Sequence, residues 1–366
     1  MIGIVFILDL EYAPYINRYT EIIEKTGKEY EIITWSRIKD SENYRVISYK
    51  KRANLGDGKF KKLFDFLNYS RFLKKTIKTK KYEKLIVLTT ISGFLIFNLL
   101  LGKYKERFVF DIRDYSYEKI KPYKFIEALI IKRSFFTVIS SEGFLRFLPK
   151  SNKYVICHNI LPKEIENANV EQLQYYGRPN NKIIISFIGA VRHFELNKRM
   201  IDIFINDERF ELRFHGNGRA YEAIKEYVKM ANASNVKVTG KYDRSDKNEL
   251  MKGVTLINGY YSEKEIANTT AISNKYYDSM IYHIPFWGNP LCYVGQLAVK
   301  KGIGINAFLN ETIKDKIIEQ IDKLDYSELS LNCEKELEKV LDEDREFERK
   351  ITEFINDDGK KGHQHS

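Results

Sequence analysis

Ile183-Ile184-Ile185-Ser186-Phe187-Ile188-Gly189-Ala190-Val191-Arg192-His193 is followed, a short helical stretch later, by Phe210-Glu211-Leu212-Arg213-Phe214-His215-Gly216-Asn217-Gly218-Arg219. Both apolar runs are too short for a helix, and both stop on a glycine before helical periodicity at 196–205 and 220–231 takes over. Strand, glycine turn and helix in repeated order read as βαβ units with a parallel sheet covered on both faces. Working outward, strands at 236–239 and 254–258 and a helix at 274–282 continue the pattern. The first half shows it too, with strands at 2–8, 30–34, 85–88, 108–111, 136–140 and 154–158 and helices at 14–26, 60–77 and 120–133. The expected fold is α/β, two doubly wound Rossmann-like domains facing across a cleft. A polar stretch containing Gly177-Arg178-Pro179-Asn180-Asn181 breaks the alternation. It divides the chain into a domain at 1–165, a linker at 166–182, a domain at 183–340, and a charged helix with a polar tail at 341–366.

The composition fits this reading. With 366 residues, 43% of them hydrophobic, the chain is long enough for two packed cores and too apolar for disorder. Cys157, Cys292 and Cys333 are isolated and the six histidines lack zinc spacing, so neither a disulfide framework nor a structural metal is expected. His363 and His365 fall in the polar tail, and Asp342-Glu343-Asp344 reads as a solvated helix segment. The apolar start lacks the basic flank of a signal peptide, which points to the cytoplasm. Residues 85–102 carry no charge but include Thr89, Thr90, Ser92, Gly93 and Asn98. They read as a buried strand, a polar turn and a buried helix rather than a membrane span.

The net charge of +11 is lopsided. Residues 1–176 hold 32 basic and 20 acidic side chains, the remainder 29 and 30, and residues 50–84 alone hold 13 and 3. In the 60–77 helix, Lys61, Lys62, Lys74, Lys75 and nearby Lys78 interleave with aromatic and aliphatic residues. Two readings stay open: a membrane-surface helix facing anionic headgroups, or a core-facing helix with a solvated basic back. Nucleic-acid binding ranks below both, since no nucleic-acid module is present.

In open α/β sheets ligands sit beyond the carboxyl ends of the strands, so the loops carry the chemistry. Gly216-Asn217-Gly218 opens a helix, where free N–H groups and the helix dipole suit a phosphate; the third glycine of a dinucleotide fingerprint is replaced by Tyr221. After Gly189 come Arg192, Lys198 and Arg199, cations suited to a diphosphate leaving group. In Ser273-Asn274-Lys275-Tyr276-Tyr277-Asp278, Asn274 and Asp278 share a helical face. A carboxylate there suits ribose hydroxyls and Lys275 suits the neighbouring phosphates.

Taken in order, these three loops resemble the C-terminal half of GT-B glycosyltransferases of the retaining GT4 type. Asn274-Lys275 through Pro285 resembles that family's donor-binding helix, with Asp278 at its ribose-binding acidic position. Gly189 resembles the glycine opening the donor site, and Gly216-Asn217-Gly218 its Gly-x-Gly turn. In the first half, Phe110-Asp111-Ile112-Arg113-Asp114 resembles a segment of bacterial polysaccharide transferases, and Ser140-Ser141-Glu142 and Val155-Ile156-Cys157-His158-Asn159 resemble segments preceding the interdomain linker. Thr270 replaces the family's first glutamate and His283 its glycine before the proline.

The resemblance implies a glycosyltransferase moving a sugar from a UDP- or GDP-linked donor to a lipid-linked saccharide acceptor, with retention, in capsular or exopolysaccharide biosynthesis. It implies a peripheral location at the inner face of the cell membrane, and no cofactor or metal. Arg192, Lys198, Lys275 and the helix start at Gly218 are the expected stabilisers of the leaving group, and Asp114 is expected to orient or deprotonate the acceptor. Two alternatives remain at this stage, a non-catalytic GT-B-like partner of another transferase and a GT-B-like sugar-nucleotide epimerase.

Overall fold

The computed structural model describes residues 1–10, 13–36, 45–51, 59–160, 162–166, 168 and 181–357. Most of the expected linker, together with His363 and His365 of the tail, lies outside the described residues, as does the Lys62 side chain. The chain forms two compact units, one of residues 1–159 with 342–366 and the other of residues 160–341. The charged C-terminal segment, expected to stand apart, thus belongs to the first unit.

The first unit runs β1 (Ile2–Val5), α1 (Ile16–Lys25), β2 (Tyr30–Ser36), β3 (Val46–Lys50), α2 (Lys59–Lys80), β4 (Lys84–Leu88), α3 (Thr90–Leu95), α4 (Phe97–Leu101), β5 (Phe108–Ile112), α5 (Lys121–Arg133), β6 (Phe136–Ile139) and β7 (Tyr154–Ile156). Its seven strands are all parallel, in the order β3-β2-β1-β4-β5-β6-β7. Strands β1, β4 and β5 are buried on both faces, which is why they read as Ile, Val, Leu and Phe runs interrupted only by Gly3, the half-buried Lys84 and Asp111. Residues 85–102 resolve into β4, α3 and α4, and no described helix is long and apolar enough to cross a membrane.

The second unit runs α6 (Pro162–Glu166), β8 (Ile183–Ile188), α7 (Phe194–Phe204), β9 (Phe210–His215), α8 (Tyr221–Met230), β10 (Val236–Gly240), α9 (Lys247–Met251), β11 (Leu256–Asn258), α10 (Ile266–Thr270), α11 (Asn274–Tyr282), β12 (Phe286–Trp287), α12 (Tyr293–Lys300), β13 (Gly304–Ile305) and α13 (Ile313–Asp322). The long α14 (Tyr326–Asn356) begins in the second unit and ends in the first. The six parallel strands lie in the order β10-β9-β8-β11-β12-β13, so the strand order reverses between β8 and β11. One face of this sheet packs Met200, Ile201, Phe204, Ile224 and Ile317 from α7, α8 and α13. The other packs Tyr276, Tyr277, Met280 and Ile281 from α11 and Cys333 and Val340 from α14.

In the first unit the C-terminal half of α14 covers the face that α1 covers: Phe347, Ile351, Phe354 and Ile355 join Tyr19 and Ile23 in one core. Arg18 bonds Asp344 at 3.1 Å and His158 Nε2 lies 2.7 Å from Glu343. The three cysteines are free and buried. Helix α2 settles the choice left open by its composition, because Asp65, Tyr69, Ser70, Leu73 and Ile77 form a buried face at helical spacing. Lys61, Lys75 and Lys78 are exposed and Lys74 is half-buried, so α2 is a core helix with a basic outer face.

Candidate functional site

The reversal of strand order places the loops after β8 and β11 side by side, where an open α/β sheet holds its ligand. Gly189 ends β8 with φ +132 and Gly216 follows β9 with φ +128. A Cβ on Gly216 would fall 2.0 Å from the Gly189 carbonyl oxygen, and one on Gly218 would fall 2.4 Å from that of Val191. The β8 and β9 loops are therefore laid directly on each other, and only glycine fits. Hydrogen bonds bind them: Gly189 N–H to His215 O, Val191 N–H to Asn217 O, and Ala220 N–H to Val191 O. The Gly218 N–H is taken by Asn217 Oδ1 at 2.7 Å. The helix start at Gly218 was expected to offer free N–H groups to a phosphate; instead Gly216-Asn217-Gly218 is a packing joint.

Lys275, in the first turn of α11, reaches back to that joint. Its ammonium lies 3.5 Å from where a Gly189 side chain would begin. It donates to Tyr261 Oη at 2.8 Å and stands 4.0 Å from the centroid of the Phe187 ring. Lys275 is only 4% exposed, yet no described carboxylate pairs with it. A buried cation lacking a counter-ion is costly unless something anionic completes it. Gly189 and Lys275, both expected at the donor site, thus lie together although they are far apart in the chain.

Tyr261 continues the site toward the cations of the β8 loop. His193 packs edge-on against it, with ring centroids 6.0 Å apart. His193 also lines a hollow of about 730 Å³ shared by Arg192, Arg199, Arg219, Asn289 and Phe308. The N-terminus of α7 opens here without a side-chain cap, adding its dipole to the three guanidinium groups. Arg199 is held by the Leu309 carbonyl at 2.9 Å, and Arg219 by the Arg192 carbonyl at the same distance. The Arg192 side chain is exposed. Burial lowers the His193 imidazole pKa from its ordinary value, so the histidine adds no further charge near neutrality.

Two expected donor-site residues stand elsewhere. Lys198 pairs with Asp202 at 2.7 Å, one turn along α7, and lies over the Tyr227 ring, so it is committed to the outer face of that helix. Asp278 is 3% exposed and pairs with Lys247 at 2.7 Å; Lys247 also holds Glu164 of α6 at 3.1 Å. Burial works against the Lys247 ammonium, but these two carboxylates outweigh it and keep its pKa raised. The Asp278 carboxylate, expected at the ribose, is thus buried and bonded to Lys247 through Oδ1. Asn274 is exposed at the start of α11. Thr270 is buried and spends its hydroxyl on the Ile266 carbonyl at 2.7 Å. His283 adopts the left-handed conformation (φ 52, ψ 37) that a glycine takes after a helix, with Nδ1 3.1 Å from Ser330 Oγ.

This pairing makes a prediction. Asp278→Ala is expected to destabilise the protein by about 3–5 kcal/mol, because the buried Lys247 loses its buried partner and keeps only the half-buried Glu164. Urea denaturation measures it. An unchanged midpoint with weakened nucleotide binding would return Asp278 to the ribose.

In the first unit, Arg113 is buried and forks onto Asp111 (Nε–Oδ1 2.7 Å, Nη2–Oδ2 3.0 Å), while Tyr19 donates to the same carboxylate at 2.6 Å. Asp114 is exposed, beyond the carboxyl end of β5. Behind that loop, Glu118 and, on α5, Glu127 are buried (5% and 2% exposed), and among the described residues no donor at hydrogen-bond geometry serves either Glu127 oxygen. Burial, and then the Glu118 charge, push the Glu127 carboxyl up to about 8. The position of Glu127, four residues beyond buried Tyr123 and three before Ile130, was the sequence signal for this pair.

No protein-family model and no curated protein matches the chain. Solved structures do. Sucrose-phosphate synthase from Thermosynechococcus elongatus superposes with a TM-score of 0.66 at 10% identity, over 97% of this chain and 94% of that one. WaaG, a glycosyltransferase involved in lipopolysaccharide biosynthesis, gives 0.61 at 10% over 98% and 100%. Anabaena HepE in complex with UDP and glucose gives 0.62 at 11% over 96% and 99%. At such identities the likeness establishes architecture, and the two parallel sheets with their helices are those of the GT-B fold.

Proposed function

We propose that the chain is a glycosyltransferase that takes a sugar from a nucleoside-diphosphate donor bound to the second unit. The observation that carries this reading is Lys275, a buried ammonium that no described carboxylate contacts directly, placed against Gly189 where the strand order reverses. A diphosphate over Gly189 supplies the missing anion, and Arg192 and the open end of α7 lie on its other side. As the glycosidic bond to the donor breaks, negative charge grows on the diphosphate. Cations already in place stabilise that charge without reorganising, usually the largest contribution an active site makes. HepE was solved with UDP, which fits a donor of this class.

The finer parts of the proposal rest on the GT4 resemblance: retention of configuration by same-face attack, a lipid-linked saccharide acceptor in cell-surface polysaccharide synthesis, and Asp114 toward the acceptor hydroxyl. Since protein cations carry the leaving-group charge here, transfer is expected to survive EDTA. Calorimetric titration with UDP and GDP, followed by a screen of nucleotide sugars against lipid-linked acceptors with and without EDTA, tests the whole. Binding of one nucleoside diphosphate is the expected result. No binding of either would favour the non-catalytic partner, and loss of transfer on chelation would overturn the metal-free mechanism.

A further inference from the structure

The first unit buries a group of oxygen atoms that its described residues do not satisfy. In the segment after β5, Glu118 Oε2 accepts the Ser116 N–H at 2.6 Å, and the Thr90 hydroxyl donates to Ser116 Oγ at 2.9 Å. Helix α5 then brings Tyr123 and Glu127, four residues apart, onto one buried face. Phe94 stacks on the Tyr123 ring at 5.0 Å, and Tyr123 is 6% exposed. Glu118 Oε1, both Glu127 oxygens and the Tyr123 hydroxyl all lack a partner at hydrogen-bond geometry among the described residues. These groups are neighbours: the Glu118 charge bears on Glu127, and both bear on the Tyr123 hydroxyl, with Thr90 beside it.

Buried acceptors left unserved are costly, and two carboxyl groups side by side more so. A proton shared between Glu118 and Glu127 serves one oxygen of each. It does nothing for the second Glu127 oxygen or for the Tyr123 hydroxyl. Lys124, the basic neighbour, is exposed and bonds to neither carboxylate. A cation would answer all four atoms at once. Its ligands would be oxygens only, two carboxylates and hydroxyl groups, the set that suits a hard cation and not zinc. Burial leaves little room for the waters that magnesium keeps, and a carboxylate can bind calcium through both oxygens, so calcium fits better. Among the described residues no three His, Cys, Asp or Glu side chains gather as a metal group, so hydroxyls must complete this one. Histidine and cysteine spacing, which argued against a structural metal, carries no trace of an all-oxygen site.

We infer that Glu118 and Glu127, together with the Tyr123 hydroxyl, form a binding site for a divalent cation of the calcium class. As the cation enters, the proton held between the two carboxyl groups leaves to solvent. Glu118 lies in the segment between β5 and α5, four residues after Asp114, and Glu127 lies on α5. An occupied site therefore ties the segment carrying Asp114 to the helix that follows it. The cation is structural and separate from the leaving-group stabilisation assigned to Lys275 and Arg192. Chelation is thus expected to lower the melting temperature without removing the groups that carry the diphosphate charge.

In the experiment, the full chain is stripped with EDTA, desalted and titrated calorimetrically with calcium chloride. Its melting temperature is then measured with about 5 mM calcium or magnesium chloride. Neither nucleotide nor acceptor is present, so failure of the donor reading does not affect the result. The expected result is one calcium ion per chain with a Kd below about 1 mM, and a melting temperature raised by about 3 °C or more, less in magnesium. Glu127→Gln and, separately, Glu118→Gln should each weaken calcium binding at least about tenfold. Tyr123→Phe, which keeps the stacked ring, should weaken it by about threefold or more. Absence of saturable calcium binding with an unchanged melting temperature would overturn the inference, because a proton or water would then fill the group. So would parent-like affinity in both glutamine variants, which would assign the ion to carboxylates elsewhere on the chain.

Discussion

Lys275→Met is expected to weaken UDP or GDP binding by about 100-fold, equivalent to about 3 kcal/mol, without lowering the melting temperature of the unliganded protein. The two halves of this expectation have one cause. The Lys275 ammonium is buried against Phe187 and Gly189 and no described carboxylate neutralises it. Its desolvation is offset in the free protein by the Tyr261 hydroxyl, two aromatic faces and the field of Asp278, whose carboxylate is itself held by Lys247. Methionine keeps the apolar stem and removes the charge, so the free state gains what the bound state loses. Titration calorimetry and thermal unfolding on the same preparation check both. An affinity within threefold of the parent would remove Lys275 from the diphosphate. A large drop in melting temperature would make it an ordinary structural lysine.

Glu127→Gln is expected to raise the melting temperature by roughly 5–10 °C at pH 9 and to leave it nearly unchanged at pH 5. The folded protein holds the Glu127 proton more tightly than the unfolded chain does, because burial and then Glu118 oppose the charged form. Stability from this group is therefore complete below the ordinary carboxyl value of 4.5 and falls as pH rises toward about 8. At about 1.4 kcal/mol per pKa unit, a few kcal/mol are lost across that window. Lys124 acts in the opposite direction and Tyr123 and Tyr154 lie close by, but neither tyrosine supplies a positive charge. Glutamine fills the same space without ionising. Parallel pH profiles for parent and variant would show that Glu127 does not titrate in this range.

Much of the architecture was legible because buried strands and amphipathic helices leave periodic traces. The bounds of β8 and α11 follow directly from the apolar run at 183–188 and from the Ser273 and Pro285 that flank 274–282. Strand β3 was not legible, because this edge strand is only half-buried and lacks a continuous apolar run. In the site, spacing places Lys275 and Asp278 on adjoining turns, but it does not determine which of them meets an open joint and which meets Lys247. Lys247 lies within Asp243-Arg244-Ser245-Asp246-Lys247, a charged run that reads as solvated. The Lys198–Asp202 pair, by contrast, is an i,i+4 pairing that spacing alone carries. Arg113 forks onto Asp111 because residues two apart share a face of an extended strand.

Helix α14 bears on how the molecule is made. Phe347, Ile351, Phe354 and Ile355 follow the whole second unit in the chain, yet they pack on strands and a helix that precede it. The opening Rossmann-like unit therefore cannot complete its hydrophobic interior during synthesis; it waits, partly uncovered, while the other unit, all of whose residues lie between 160 and 341, is translated. A truncation near residue 341 would spare every residue of the donor site and still strip part of the cover, that part not supplied by α1, from one face of the first unit's sheet. A chain cut there should then be insoluble rather than trimmed but working.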